Sequence, residues 1–289
     1  MWTLPLPEHN KAMEELITAL TYVDGKLKYE LTDAEKVLIE ELYNQYEALV
    51  GQYDESLNGD KLLQTTQDAI HDGYGEVQET GRLKKLRSRL LLAADRCPCC
   101  SIGDATDLDH HLPQSVFKAL SVYSSNLVPL CHKCNNKKRT VSGKDPDKKF
   151  IHAYYDEIPE EKSFLIATTS VSSQGLKVEF NIVQVDGMEE TLYKQLTYQV
   201  NRVGLYKRLQ KEINIFLMPF YTSLEMHYSG DHRGQAVKEF LMKNYEFFKE
   251  KMGLNEWRTA LLFSLANNDD FCNGGFMKLY SKKIKADDE

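Results

Sequence analysis

Apolar residues recur with a helical period along most of this chain and alternate with a period of two in only a few places. The run Thr32-Asp33-Ala34-Glu35 has the form of a capping box, and Val37, Leu38, Leu42, Tyr46, Leu49, Val50 and Tyr53 follow at helical spacing. Asn58-Gly59 ends that helix. A shorter helix is predicted from Leu62 to His71, closing at Asp72-Gly73-Tyr74-Gly75. After Gly81, Leu83, Leu86, Leu90 and Ala94 share one helical face, with Lys84, Lys85, Arg87 and Arg89 mostly off it. Such a basic helix can lie along a phosphate backbone or simply pack its leucines and solvate its charges. Farther on, Phe164 to Thr168 and Leu176 to Val185 alternate apolar and polar residues around Ser172-Ser173-Gln174-Gly175, a β-hairpin signal. Helical spacing returns over Gln199 to Leu217, Gly234 to Lys251 and Asn255 to Ala266, ahead of a charged tail expected to fray.

Between the helical start and the hairpin lies a different kind of segment. Cys97-x-x-Cys100 and Cys131-x-x-Cys134 stand 30 residues apart and hold four of the chain's six cysteines, with Cys99 between the first two. In a reducing compartment, paired C-x-x-C steps point to metal rather than to disulfides. Four sulfurs make a tetrahedral zinc site, and two short knuckles at this separation suit a clip across the ends of a hairpin. Cys99 is the alternative to Cys100, but its one-residue gap from Cys97 closes a chelate poorly. Cys272 stands apart and reads as a buried filler. Inside the clip, Thr106 to Leu112 reads as a strand stopped by Pro113, Leu127-Val128-Pro129-Leu130 as its antiparallel partner, and the run from His132 to Arg139 as a helix. The order is strand, long loop, strand, helix.

Composition and charge narrow the classes. At 289 residues, 42% hydrophobic and 27% charged, the chain can bury a real core and is not a disordered polymer. No run approaches the roughly 18 apolar residues of a membrane-spanning helix, and the N-terminus lacks the order of a signal peptide, so a cytoplasmic protein is expected. The net charge of −7 argues against nucleic acid until its distribution is considered. From Arg82 to Lys149 there are 14 Lys/Arg against 6 Asp/Glu, a local +8 within an acidic remainder. That island is a candidate phosphate footprint.

Asp109-His110 on the first strand, Asn126 before the second, and Cys134-Asn135-x-x-Lys138 on the helix together resemble the HNH (ββα-metal) endonuclease family, over about 45 residues from Cys97 to Arg139. The resemblance implies that His110 is the general base, Asp109 and Asn135 are ligands of a catalytic Mg²⁺ or Mn²⁺, and Asn126 braces the loop and the base. Lys138 is expected to contact the phosphate. The chemistry is coherent in its own terms: a neutral histidine suits proton removal from water, and carboxylate and amide oxygens suit a hard cation beside a phosphodiester. His111 should point away from His110 and pack. Stretches such as GRLKKLRSRLL and GLNEWRTALLFSLANNDDFCNGGF are more loosely similar to HNH subunits of bacterial antiphage systems of the Septu or retron-associated kind, which implies an ATPase partner.

The expected fold is α+β and mostly helical: an N-terminal helical region over 1–81, a zinc-stapled ββα module over 82–150, and a C-terminal hairpin with helices over 151–289. The expected function is metal-dependent hydrolysis of nucleic acid, DNA favoured. An RNA- or tRNA-cleaving enzyme and a non-catalytic zinc-ribbon binding module stay open as alternatives.

Overall fold

The computed structural model describes residues 3–279. Two compact units emerge among these residues, one of 3–158 with 194–203, the other of 159–193 with 204–279. Both are mostly helical, and among the described residues each carries one small antiparallel sheet. The charged tail lies outside the described residues.

The first unit begins with four helices, α1 (Ala12–Ala19), α2 (Asp33–Ala48), α3 (Gln64–Gly73) and α4 (Lys84–Leu92). Strands β1 (Asp107–His110) and β2 (Leu127–Leu130) and helix α5 (His132–Lys138) follow. The capping box forms as spelled: Glu35 N–H donates to Thr32 Oγ1 at 3.2 Å and Thr32 N–H to Glu35 Oε2 at 2.9 Å. Such a cap contributes about 1 kcal/mol to the start of α2. The buried face of α2 is turned from the expected one. Ile39 and Tyr43 join the expected Leu42 and Tyr46 inside, while Val37 is exposed; the helix ends at Ala48, short of Asn58, so Val50 lies beyond it. Tertiary partners choose the face: Tyr43 stacks on Tyr123 with centroids 4.0 Å apart, and Tyr46 meets the same ring edge-on at 5.4 Å.

Helix α4 buries Leu86 and Leu90, and Leu83 and Ala94 on either side of it are buried too, as the spacing predicts. Half of its basic side is structural. The Arg87 guanidinium is buried and donates to the Thr106 carbonyl at 2.6 Å, and Arg89 pairs with Glu15 at 2.7 Å, leaving Lys84 and Lys85 in solvent. One apolar cluster runs from Leu16, Ile39 and Ile70 through Leu86 and Leu90 to Leu108, Phe117 and Leu127. The boundary expected at residue 82 therefore falls inside a single core. A ββα unit this small cannot bury enough apolar surface alone, and the N-terminal helices supply it.

The second unit contains the hairpin β3 (Leu165–Ser172) and β4 (Gly175–Ile182), in register from Leu165 opposite Ile182 to Ser172 opposite Gly175. Helices α6 (Glu190–Arg202), α7 (Leu205–Leu217), α8 (Tyr221–Tyr228), α9 (Arg233–Met252), α10 (Trp257–Ala266) and α11 (Asp269–Cys272) follow. Residues of α6 from 194 onward belong to the first unit. The single helix expected over 199–217 is two helices, because Gly204 takes a left-handed φ of +61° that ends α6 and starts α7. Cys272 is buried, its Sγ 3.4 Å from the Leu265 carbonyl, as a filler should be.

Candidate active site

Four sulfurs converge at one end of the ββα segment. The Sγ atoms of Cys97, Cys100, Cys131 and Cys134 all lie within 4.8 Å of one another, and all four residues are buried. A tetrahedron with Zn–S bonds of about 2.3 Å has edges of about 3.8 Å, and the Cys100 and Cys131 sulfurs are 3.7 Å apart. The set could hold a structural metal such as zinc. Local backbone builds each knuckle. Ser101 N–H donates to the Cys97 carbonyl at 2.9 Å, while Cys131 stands at the N-terminal boundary of α5 and Cys134 sits in its first turn. Cys99 is buried nearby but stands outside the set.

From this clip α5 lies across one face of β1, and two periodicities meet. On β1 the period of two puts Asp107 and Asp109 on one face. On α5 the period of about 3.6 aligns His132, Asn135 and Lys138. Asp107 accepts from His132 Nδ1 and from Asn135 Nδ2, each at 3.0 Å. Burial pushes the Asp107 carboxyl up, but these hydrogen bonds outweigh it and hold it below the ordinary carboxylate value. One turn on, Lys138 Nζ lies 2.8 Å from Asp109 Oδ2 and donates to the His110 carbonyl at 2.7 Å. Lys138 is 1% exposed and Asp109 6%. Burial raises the Asp109 carboxyl above its ordinary value, and the Lys138 charge opposes that rise.

This placement corrects the expectation for Lys138. A lysine at the end of a short helix reads as a solvated cation free to meet a phosphate. Instead its ammonium is enclosed by Asp109 and the strand backbone, so it positions the carboxylate and the neighbouring histidine.

His110 lies at the inner wall of a cleft of about 310 Å³ that Asp109 and Asn135 also line. Its Nε2 is 2.9 Å from the Ser121 carbonyl. A carbonyl only accepts, so Nε2 carries the proton and Nδ1 keeps the lone pair. Tyr74 packs edge-on against the imidazole at 4.4 Å and anchors its own hydroxyl on the Leu108 carbonyl at 2.8 Å. Burial pushes His110 down to about 4, against the opposing pull of the Ser121 hydrogen bond, so the ring is neutral at pH 7.

Asn126 is fully buried and lies behind the cleft, not in it. Its Oδ1 accepts from Leu112 N–H at 2.8 Å and from the Tyr46 hydroxyl at 3.2 Å; its Nδ2 donates to the carbonyls of Leu112 and Leu120 at 3.1 and 3.3 Å. Three of these bonds tie the loop after β1 to the chain before β2, and the fourth ties it to α2. His111 points away from His110 and stacks on His152 with centroids 3.9 Å apart, and His152 Nε2 lies 2.9 Å from the Tyr46 hydroxyl. Burial drives both rings well below the ordinary histidine value.

Several of these residues escape a reading of the sequence. Asp107 had a signal, its place two residues before Asp109 on the same strand face. Tyr74, Tyr46 and His152 had none, since each arrives from a distant segment. Two more line the cleft. Gln114 has a buried Oε1 with no hydrogen-bond partner among the described residues, and Arg139 is exposed at the end of α5. Arg139 adopts φ +52° and ψ −125°, a conformation that costs a residue with a side chain roughly 1–3 kcal/mol.

With the geometry in view, comparison with known proteins adds one relative. The chain is similar to protein ea31 of Escherichia phage lambda. The two are 27% identical over 198 residues, which cover 64% of this chain and 66% of that protein. The match thus spans just under two thirds of the phage protein's length. No family model matches the chain, and no solved structure matches it. Among the described residues, no helix is long and apolar enough to cross a membrane.

Proposed function

We propose that the chain is an HNH-type endonuclease that hydrolyses phosphodiester bonds of nucleic acid, DNA ahead of RNA, with a catalytic Mg²⁺ or Mn²⁺ and a structural zinc. One observation carries the reading. His110, neutral and with Nδ1 unprotonated, shares a cleft with Asp109 and with Asn135, whose Oδ1 is the free end of an amide already anchored through Nδ2.

Each residue then has a task that its environment supports. His110 takes the proton from the attacking water at Nδ1, and the Ser121 carbonyl and Tyr74 ring hold the imidazole in the required tautomer and plane. Asp109 and Asn135 supply one carboxylate and one amide oxygen, a hard donor set that suits Mg²⁺ or Mn²⁺ with several waters. When bound, such an ion supplies Lewis-acid stabilisation of phosphate charge. Lys138 keeps Asp109 in place and pins the His110 backbone, while Asn126 fixes the loop that carries Ser121 toward the base. The four cysteines tie the start of α5 to the segment before β1, which keeps Asn135 in the cleft that Asp109 lines. An ATPase partner enters through the looser resemblance and predicts weak cleavage by the chain alone.

Incubation of the purified chain with plasmid, single-stranded DNA and tRNA, with Mg²⁺ or Mn²⁺ and then with chelator, tests the reading. Metal-dependent cleavage of DNA supports it, and cleavage confined to tRNA moves the substrate class to RNA. Binding of nucleic acid with no cleavage under any metal leaves a zinc-stapled binding module in its place.

A further inference from the structure

We propose that Arg139 is the residue that grips substrate phosphate in the cleft; the inference rests on the nuclease reading above and assigns the role that buried Lys138 cannot fill. Of the lysines and arginines among the described residues, Arg139 is the one that lines the cleft beside His110 and Asp109. Its side chain is exposed and takes part in no ion pair or hydrogen bond. The cleft does not neutralise it either, because the Asp109 carboxylate already faces Lys138 Nζ at 2.8 Å. The cleft therefore presents one unmatched guanidinium, a planar fork whose donors fit two phosphate oxygens at once.

The backbone is a second, independent observation. Residue 139 turns the chain out of α5 with φ +52°, in the left-handed region where glycine is unstrained and a side chain is not. Its N–H donates to the Asn135 carbonyl at 3.1 Å, so the strained residue is held to the helix turn that bears a proposed metal ligand. Turn geometry alone would be better served by glycine. A long cationic side chain kept at that position, at the mouth of the cleft, points to a use for the side chain rather than for the turn.

The test pairs Arg139→Gly with Arg139→Lys. Cleavage is measured with His110 intact, and binding of a fluorescein-labelled DNA duplex is measured in the His110→Ala background across a salt series. Arg139→Gly should unfold at the same or a higher temperature than wild type and yet lose roughly 10- to 100-fold in kcat/KM, mostly through KM. In the binding series the slope of log K against log salt should fall by about one. Arg139→Lys should retain the salt slope and recover part of the loss. The proposal is overturned if Arg139→Gly cleaves and binds like wild type with an unchanged slope. It is overturned equally if Arg139→Gly unfolds at a lower temperature and Arg139→Lys loses as much binding as Arg139→Gly, since the residue is then structural. If wild type cleaves nothing, the nuclease reading fails while the salt slope still decides the role of Arg139.

Discussion

Replacing Lys138 by methionine tests the interior of the cleft. The change keeps most of the side-chain volume and removes only the charge and its donors. An ion pair to Asp109 Oδ2 at 2.8 Å and a hydrogen bond to the His110 carbonyl at 2.7 Å are lost. With Lys138 at 1% and Asp109 at 6% exposure, water cannot replace them. A buried charge left without its partner costs about 3–5 kcal/mol, and Lys138→Met should lower the stability of the first unit by that much. Asp109→Asn alone strands the ammonium and should cost a comparable amount. The double variant strands neither charge, so its loss should fall at least about 2 kcal/mol short of the sum of the singles, within the range of coupling energies for residues in contact. Urea unfolding followed by near-ultraviolet dichroism, to which the stacked Tyr43 and Tyr123 contribute, reads the loss. A loss below about 1 kcal/mol for Lys138→Met, or full additivity in the cycle, would refute the enclosed pair. A solvated lysine would then be free to meet a phosphate after all.

Other expectations concern the clip, the brace and pH. Metal analysis should find one zinc per chain, and a strong chelator should lower the unfolding temperature; an unchanged temperature would remove the structural metal. Asn126→Ala leaves two carbonyls and the Leu112 N–H unsatisfied in the core and should cost about 3–5 kcal/mol, read by urea unfolding, with zinc content retained. His110, His111 and His152 are each held neutral by burial, His110 at about 4 and the other two well below their ordinary value. In that window the unfolded chain binds more protons than the folded one. Stability should therefore be intact above about pH 6.5 and fall as pH drops toward 4, by up to about 1.4 kcal/mol per pH unit for each ring. The acid limb of cleavage should likewise lie near pH 4 to 5 rather than at 6.5, and a midpoint at 6.5 would mean that His110 is solvated.

Much of the ββα segment is legible in the sequence because its signals are local. The C-x-x-C spacing, the two short strands and the Asp109-His110 step lie within 45 residues, although β1 ends at His110 and not at Pro113, and the structure brings Asp109, His110 and Asn135 to one cleft. The failures share a cause. Which face of α2 is buried depends on Tyr123, 80 residues away from Tyr43, and no helical period encodes that contact. The burial of Lys138 requires Asp109 to approach from a strand 29 residues earlier. Tyr74 and Tyr46 reach the site from helices outside the motif, because the small ββα unit borrows its core from them. Gly204 could have been read as a stop within 199–217, but an isolated glycine in a helical pattern is tolerated, and the positive φ that breaks this one is not written in the pattern.

The most direct test sets wild type beside His110→Ala, each with its zinc content and unfolding temperature measured, on DNA with Mg²⁺ or Mn²⁺. The account predicts metal-dependent cleavage by wild type and a loss of at least about 10²-fold in the variant, with zinc content unchanged. Equal cleavage by a folded His110→Ala protein would contradict it.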